Sequence, residues 1–472
     1  MSVLLKELQR RMRVRQIPGL SVRVIKNSHK IFACDLGVSS LRTNASLKPE
    51  QLFRVGSLTK PFTAQATLLL ARQGRINLSD SITRYLGNWR LPDEFNNITI
   101  GYLLAHTSGL ARGGYSGGCG SDDDLLAEIA CTRLFFNPGE HFKYSNWGYF
   151  LLGKVIESVT GERFERFISN AIFKPLQMEQ SYFSNSAEQA EDNLVTGHWK
   201  GWYFGTADLD QPSISCSHIP LPAAAAGLIT NADDYLLWLA DFIAKYHSDN
   251  SDRGGVFEQM LSSFYPVSQR YSIGYGLFLK TIDGLPFYHL TGSNSGYSGF
   301  VFLMPDLGLA GIALANHSTC NAELKDILYS VCQHSLAEEA IPNFGYGRTE
   351  SFKLVASKRR MTVSIQGYED GSAVFSATKQ HRVRLYPHSE NAYFLMNGPD
   401  RHALLRVTDA GIGDAKITFA DQVYYENPSR LLRINTGEIA SFELNNMIFM
   451  RQTQPLCEQH DSVPALGSSR TQ

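Results

Sequence analysis

The sequence lacks long apolar runs and has almost no net charge. Its longest apolar stretches are ATLLLA and AAAAGLI. Both are far shorter than a membrane-spanning helix, which needs about 20 apolar residues. The first residues, MSVLLKELQRRMRVRQIPG, are charged throughout and have no apolar segment of the signal-peptide type, so we expect a cytoplasmic location. A formal net charge of −1 gives no electrostatic reason to expect binding to nucleic acid or to a membrane surface.

Cysteine is present without a recognisable pattern. The seven cysteines are odd in number and irregularly spaced, and no CxxC pair occurs. This usage predicts neither a disulfide framework nor a zinc site, and it is typical of a protein from a reducing compartment.

The chain has the length and the apolar content for two domains, with 472 residues of which 43% are hydrophobic. Strand-like alternation at 20–37 and again within 271–315, with helical spacing between, predicts an α+β domain over 1–345 whose sheet joins distant segments. Short alternating runs then predict an all-β domain over 346–455, either a small barrel or lipocalin-like. Residues 456–472 are expected to form a disordered tail.

The stretch FRVGSLTKPFTA places Ser57 and Lys60 three residues apart at the start of a predicted helix. Residues at that spacing share one helix face. A serine hydroxyl is a poor nucleophile until a base takes its proton, and a lysine whose pKa is lowered by burial can be that base. Alone, the same spacing also fits an ordinary solvent-facing helix turn.

Two further stretches supply groups of complementary chemistry. KYSNWGYFLLG contains Tyr144, which could shuttle a proton, and Asn146, whose amide could orient a substrate carbonyl. The same letters also fit a helix entry with a Ser or Asn cap. In LTGSNSGYSG the small residues Thr291, Gly292 and Ser293 would let a substrate backbone lie along a strand edge, where backbone N–H groups can face an oxyanion.

These three stretches, in this order, resemble the penicillin-recognising serine hydrolases of the class C β-lactamase type. That group includes DD-peptidases, D-aminopeptidases and esterases. The resemblance covers roughly residues 15–335 and implies a β-lactamase/transpeptidase-like domain, with an antiparallel sheet flanked by helices and a helical subdomain. Further matching pieces are IPGLSV (17–22), GRINLSDSI (74–82), LLAHTSGL (103–110), NPGEHFKYSN (137–146), AAAGLITNADD (224–234) and SGYSGFVFLMPD (295–306).

The resemblance also implies a role for each site residue. Ser57 would be the acylated nucleophile and Lys60 its general-base partner. Tyr144 would activate Ser57 or protonate the leaving group, and Asn146 would hold the substrate amide. Backbone N–H groups of Ser57 and Ser293 would form the oxyanion hole. This chemistry needs no metal and no organic cofactor.

The third motif departs from the pattern of those enzymes, which usually carry Lys-Thr-Gly or His-x-Gly there. Counted back from Gly296-Tyr297, the matching triplet is Leu290-Thr291-Gly292, so a leucine stands at the position of the cation and His289 lies one residue earlier. A local bulge would turn His289 into the site as a substrate-binding residue. Otherwise His289 packs behind the strand and the site lacks the cation, which strand alternation favours.

The missing cation argues against strong β-lactamase or DD-carboxypeptidase activity, because in the resembled enzymes that cation pairs with a free carboxylate. We therefore expect a serine acyl hydrolase that acts through an acyl-enzyme on a small ester or a peptide amide, with D-configured peptides among the candidates. The alternatives are an acyl transferase or stand-alone peptide cyclase of the penicillin-binding-protein-type thioesterase kind, and a catalytically silent binding protein. The partner is a small molecule or a peptide, with neither nucleic acid nor membrane; the oligomeric state stays open.

Overall fold

A computed structural model describes residues 2–87, 89, 91–113, 121–183, 193–198, 222–246, 254–262, 265–267, 271–318 and 320–336, and the backbone of eight strands between residues 350 and 435. The expected tail at 456–472 lies outside the described residues.

Within the described residues, nine strands form one antiparallel sheet. Its strands are β1 (Gly19–Lys26), β2 (His29–Ser40), β3 (Ala45–Ser46), β7 (Tyr265–Pro266), β8 (Ser272–Ile273), β9 (Phe278–Ile282), β10 (Leu285–Asn294), β11 (Tyr297–Met304) and β12 (Leu309–Ala315). Their order across the sheet is β3-β2-β1-β12-β11-β10-β9-β8-β7. The three strands near the N-terminus therefore continue a sheet whose other six strands come about 200 residues or more later in the chain, with Leu20 opposite Ala315.

Helices cover both faces of this sheet. They are α1 (Ser2–Arg15), α2 (Lys60–Arg72), α3 (Ile100–Leu104), α4 (Asp122–Ala130), α5 (Asn146–Thr160), α6 (Phe164–Ile168), α7 (Ala223–Ala226), α8 (Ala232–Tyr246), α9 (Gly254–Ser262) and α10 (Asn321–Ser335). A small sheet consists of β4 (Phe53–Arg54), β6 (Leu228–Thr230) and β5 (Tyr182–Phe183), in that order, and β4 comes shortly before α2 in the chain.

The alternation of β10 shows how the two faces are used. Tyr288 and Leu290 pack into the large apolar cluster that also contains α2, α5 and α8. Phe287, one residue earlier, packs into a second cluster with α1 and α10. Because successive strand residues point to opposite faces, each residue of β10 is assigned to one of these two sides. The first of these sides faces α2, the helix that begins at Lys60.

Helix α1 is held on the second face by both apolar and charged contacts. Leu4, Leu8 and Met12 recur every four residues and are buried, as an amphipathic helix requires. Arg11 Nη1 and Arg15 Nε then donate to the buried Glu323 carboxylate of α10, at 2.8 and 2.7 Å.

The remaining strands form a second antiparallel sheet in simple consecutive order. They are β13 (Glu350–Ala356), β14 (Met361–Gly367), β15 (Ala373–Ala377), β16 (Val383–Ser389), β17 (Ala392–Met396), β18 (His402–Asp409), β19 (Asp414–Ala420) and β20 (Arg430–Asn435). The prediction of a β-lactamase/transpeptidase-like antiparallel sheet flanked by helices is confirmed for the first part of the chain. The domain limits of 346–455 and a barrel-like closure stay predictions.

No helix in the described ranges is long and apolar enough to cross a bilayer.

Candidate active site

Ser57 lies in a 3-10 turn, Gly56–Thr59, that runs directly into α2 at Lys60. The three-residue spacing works as expected from the sequence, because Lys60 Nζ lies 3.2 Å from Ser57 Oγ. Lys60 itself is fully buried, so its amine reaches the serine from inside the protein.

The Lys60 amine has two other close partners, both carbonyl oxygens. Nζ donates to Asn146 Oδ1 at 2.8 Å and to the Ala225 backbone oxygen at 2.9 Å. Burial holds the pKa of Lys60 well below its usual value, and the charge of Arg112 lowers it further. A neutral amine has two N–H donors and one lone pair, so the two carbonyls can take both donors while the lone pair faces Ser57.

Tyr144 approaches Ser57 from the other side. Its hydroxyl donates to Ser57 Oγ at 2.8 Å, and its ring centroid lies 4.8 Å from Lys60 Nζ. Burial raises the pKa of Tyr144 to about 12, although its hydrogen bond with Ser57 and the charge of Arg112 lower it. The phenol is therefore protonated at neutral pH and can give a proton away.

His106 supports the Tyr144 ring. The two rings stack with centroids 4.3 Å apart, and His106 Nδ1 accepts from the Ser145 backbone N–H at 3.1 Å. Burial, with the charges of Lys60 and Arg112, holds the pKa of His106 well below its usual value. A neutral ring whose Nδ1 is an acceptor carries its proton on Nε2, so His106 fixes a loop and a ring position and contributes no charge.

The helix-cap interpretation of KYSN holds at Ser145, and the predicted site residues Tyr144 and Asn146 stand on either side of it. Ser145 is the N-cap of α5: its Oγ accepts from the Gly148 N–H at 3.0 Å and donates to the Ala111 oxygen at 2.7 Å. Because Ser145 turns inward to cap the helix, its neighbours Tyr144 and Asn146 both face the lysine. A single helix start thus delivers two of the predicted site residues together.

Strand β10 forms the third side of the site through backbone contact. Gly56 has a φ of +54°, and a Cβ there would lie 2.3 Å from the Ser293 carbonyl oxygen. A Cβ on Gly292 would lie 2.1 Å from the Val55 oxygen. Only glycine allows so close an approach. The Ser293 backbone consequently lies against the residue that precedes Ser57, where an oxyanion hole shared by the two would have to be.

His289 and Leu290 occupy opposite faces of β10. The strand pairs with β11 in unbroken register from Tyr288 to Asn294, so the chain does not bulge there. Leu290 points to the α2 side and is buried in the first apolar cluster. Thr291 and Ser293 share the other face with His289, and Ser293 Oγ accepts from Asn321 Nδ2 of α10 at 2.6 Å.

Aromatic rings surround His289. The rings of Phe278, Phe287 and Phe300 lie with centroids 5.6 to 5.9 Å from that of His289. Both ring nitrogens are buried and have no hydrogen-bond partner among the described residues. Burial, and then Lys280 and Lys325, hold the pKa of His289 well below its usual value, so the ring is neutral.

The sequence interpretation missed three residues near the site. Arg112 lies with its guanidinium carbon 5.5 Å from the Tyr144 ring centroid, and Phe278 stacks nearly parallel to Tyr144 at 6.5 Å. The position of Arg112, two residues after the HTSGL stretch, marks it as part of that loop but does not say which ring it lies against. Phe278 and Asn321 carry no such signal, because strand pairing and the start of α10 bring them to the site. No cluster of His, Cys, Asp or Glu side chains suited to a metal occurs among the described residues.

Curated relatives share sequence with the first part of the chain. Protein flp of Staphylococcus aureus (strain N315) is 27% identical over 311 residues, which is 64% of this chain. The match spans only 60% of that relative's own length. Penicillin-binding protein 4 of Amycolatopsis lactamdurans is 25% identical over 336 residues, or 66% of this chain and 84% of the relative.

Solved structures share the fold. The octameric penicillin-binding protein homologue from Pyrococcus abyssi superposes with a TM-score of 0.62 at 21% identity, over 91% of this chain and 99% of its own. A class C β-lactamase superposes with a TM-score of 0.61 at 19% identity, over 72% of this chain and 96% of its own. The sequence pattern of the Beta-lactamase family matches residues 5–330, which include Ser57, Lys60, Tyr144 and the strand that carries Gly292. This chain belongs to the beta-lactamase family.

Proposed function

We propose that this chain is a serine acyl hydrolase that forms an acyl-enzyme on Ser57. The observation that carries the proposal is the convergence of a buried amine and a phenol on one hydroxyl oxygen. Lys60 Nζ lies 3.2 Å and Tyr144 Oη 2.8 Å from Ser57 Oγ. A serine held between a base and an acid can lose its proton to one and have the leaving group protonated by the other.

The proposed first step forms a bond between Ser57 Oγ and the acyl carbon. The Ser57 proton passes to the Lys60 amine, and the carbonyl oxygen takes the displaced electron pair and faces the backbone N–H groups of Ser57 and Ser293. Tyr144 then protonates the leaving oxygen or nitrogen as its bond to the acyl carbon breaks, and the Lys60 proton returns to the phenolate. Asn146, held by Lys60 through Oδ1, is placed to orient the substrate carbonyl.

The second step releases the acyl group to water. The Lys60–Tyr144 pair accepts a proton from the attacking water, and Ser57 Oγ leaves with a proton from the pair. Both groups are then restored, so no cofactor is consumed.

The substrate we propose is a small ester or a peptide amide, with D-configured peptides included. The support is the neutral face of β10, where Tyr288, Leu290 and Gly292 point toward α2. A buried leucine offers no charge to a free carboxylate, and an unpaired carboxylate is costly to bury. Neutral acyl compounds therefore fit this side better than acidic ones.

Covalent labelling tests the proposal. A neutral fluorophosphonate should modify the protein once, and peptide mass spectrometry should place the adduct on Ser57. Ser57→Ala should lose the adduct completely, whereas Ser79→Ala, at an exposed serine bonded to Asn77, should keep it. A folded wild-type protein that reacts with neither fluorophosphonate nor fluorescent penicillin would instead be a binding protein.

Product analysis separates hydrolysis from acyl transfer. With p-nitrophenyl acetate as the probe, hydrolysis gives acetate at a rate that an added primary amine leaves unchanged. Transfer gives the acetamide of the amine at the expense of acetate. Since the Pyrococcus neighbour is octameric, the assembly state of this chain should be measured in the same samples by light scattering.

A further inference from the structure

Arg112 places a second cation on the ring of Tyr144. Its guanidinium carbon lies 5.5 Å from the Tyr144 ring centroid, and Lys60 Nζ lies 4.8 Å from the same point. The two charges are therefore no further apart than the sum of these distances, about 10 Å. At that separation inside a protein, like charges still interact appreciably, and salt screens them little because the pair is partly buried.

The loop that carries Arg112 is fixed to the helix start that carries Tyr144. Three consecutive backbone oxygens of the loop accept hydrogen bonds from the helix start. The Ala111 oxygen accepts from Ser145 Oγ at 2.7 Å. The Arg112 oxygen accepts from the Asn146 backbone N–H at 2.6 Å, and the Gly113 oxygen accepts from Asn146 Nδ2 at 3.0 Å. An exposed arginine on a loose loop would contribute little. Here the main chain of Arg112 and of both its neighbours is bonded to Ser145 and Asn146, the two residues that follow the phenol.

Among the residues that the structure describes, the other groups around the pair add no negative charge. His106 and Lys143 precede α5, and Tyr149 lies within it; Tyr149 has its ring centroid 5.4 Å from Lys60 Nζ. Tyr275 lies between β8 and β9. Helix α7 consists of alanines only, and β10, LPFYHLTGSN, contains no Lys, Arg, Asp or Glu.

The electrostatic effect of Arg112 has one sign at every group it reaches. Its charge lowers the pKa of Lys60, of His106, of Lys143 and of Tyr144, in each case after burial as the larger influence. Lys60 and Tyr144 act on one serine as a coupled pair. A nearby positive charge favours loss of a proton from the pair, whichever member carries it.

We propose that Arg112 is a positioning residue whose fixed positive charge keeps the Lys60–Tyr144 pair able to accept the Ser57 proton at neutral pH. This rests on the proposed function, because it assumes that the pair activates Ser57. Arg112 acts through the pair and forms no bond to the substrate.

The test is the pH profile of Ser57 labelling by a neutral fluorophosphonate, measured for the full chain. Arg112→Met and Arg112→Gln remove the charge and should move the acidic limb of the rate profile to higher pH. The labelling rate at neutral pH should fall about tenfold, as expected for one charge about 10 Å away at an effective dielectric constant of about 20. Arg112→Lys keeps a charge and should restore most of the rate and the position of the limb.

The matched control is Arg84→Met. Arg84 also lies over a tyrosine ring, with its guanidinium carbon 5.9 Å from the centroid of Tyr85, but it is an exposed residue paired with Asp80. Its removal should leave the profile unchanged. Thermal melts of all variants identify any that do not fold. If one of the neutral variants, Arg112→Met or Arg112→Gln, does not fold, the other one still tests the inference.

Two results would overturn the inference. The first is that Arg112→Met or Arg112→Gln lowers the labelling rate but leaves the acidic limb of the profile at the wild-type pH, which indicates that Arg112 has a structural role only. The other is an Arg112→Lys enzyme no better than the neutral variants. If wild-type Ser57 is not labelled at all, the proposed function fails, and that outcome is distinct from both.

Discussion

At the scale of single residues, the proposed site depends on a buried lysine whose hydrogen-bond partners are neutral. In the part of the chain that the structure describes, the three atoms within hydrogen-bond reach of Lys60 Nζ are oxygens of a serine, an amide side chain and a backbone carbonyl. A buried ammonium with neutral partners is unstable relative to the amine, so burial converts an ordinary cation into a base. A carboxylate in place of Asn146 would reverse this by stabilising the charge.

Tyr144→Phe should stop most of the acylation while the fold is kept. The change removes only the hydroxyl that donates to Ser57 Oγ, and the loss of one acid–base group costs about a hundredfold to ten-thousandfold in rate. Stopped-flow labelling of Ser57 measures it. Tyr149→Phe is the control, because that buried hydroxyl donates to the Leu104 backbone oxygen; it should cost about 1 kcal/mol of stability and little rate. Equal rate losses in both variants would argue against a proton-transfer role for Tyr144.

His289→Phe should leave acylation unchanged and stabilise the protein. The substitution keeps a ring among Phe278, Phe287 and Phe300 and removes two buried nitrogens that have no partner among the described residues. We expect the free energy of unfolding to rise by about 1 kcal/mol. Chemical denaturation measures this, and His289→Ala, which leaves a cavity, should be less stable than wild type. A hundredfold loss of rate in His289→Phe would show that the ring takes part in the chemistry.

The same histidine should make stability depend on pH. Its pKa in the folded protein lies well below that of the unfolded chain, so below about pH 6.5 the unfolded state binds more protons. Its contribution to stability is complete above that pH and is lost as the pH falls toward the folded-state pKa. The wild-type Tm should therefore fall more steeply below pH 6.5 than that of His289→Phe, while His106 contributes equally to both.

At the scale of elements, the proposed site forms where the N-terminal ends of α2 and α5 come together with strand β10. The turn before α2 supplies Ser57, the residues before α5 supply Tyr144, and β10 supplies backbone groups. Contact between β10 and the serine turn is made by main chain on both sides, through Gly56 and Gly292. The distance between the two elements is set by these glycines, because any side chain there would force them apart.

Gly292→Ala should reduce acylation more than it reduces stability. The added methyl group would lie 2.1 Å from the Val55 oxygen, so β10 must shift from the turn that carries Ser57. Small displacements of oxyanion-hole donors cost about a hundredfold in rate. The control is Gly87→Ala, where the nearest atom lies at an ordinary contact distance of 3.5 Å. Labelling kinetics with thermal melts separate the two effects, and a fully active Gly292→Ala would contradict the proposed hole.

At the scale of the whole molecule, every proposed catalytic group lies within residues that belong to one sheet and its helices. The pairing of β1 with β12 joins the early and the late strands of this sheet. The described residues of both apolar clusters lie within residues 2–336. The family pattern likewise ends at residue 330. Of the strands that the structure describes, none of the eight in the sheet that follows belongs to the first one.

A shortened chain of residues 1–345 should therefore fold and label at Ser57 within severalfold of the full-length rate. Every described residue of both apolar clusters remains in it, so unfolding should stay cooperative. Calorimetry and fluorophosphonate labelling of the two lengths test this. A shortened chain that folds but does not label would assign part of the site to the second sheet.

Much of this could be predicted from the sequence, because local spacing determines local geometry. Three residues along a helix start bring Ser57 and Lys60 together, and a serine cap at 145 turns Tyr144 and Asn146 to one side. Strand alternation likewise separates Leu290 from His289 once the register is known. Arg112 was missed because its role depends on which ring its side chain lies against, and no local pattern contains that information.

The sequence by itself determined the family pattern, the pairing of the proposed nucleophile with its proposed base, and the opposite facing of His289 and Leu290, since each depends on neighbours within a few residues. Only the tertiary structure decided what surrounds these groups. It brings Arg112 to the Tyr144 ring, Asn321 to Ser293 and three phenylalanines to His289. The physical reason is that pKa values and close backbone contacts depend on burial and distance between segments far apart in the chain, which packing alone establishes.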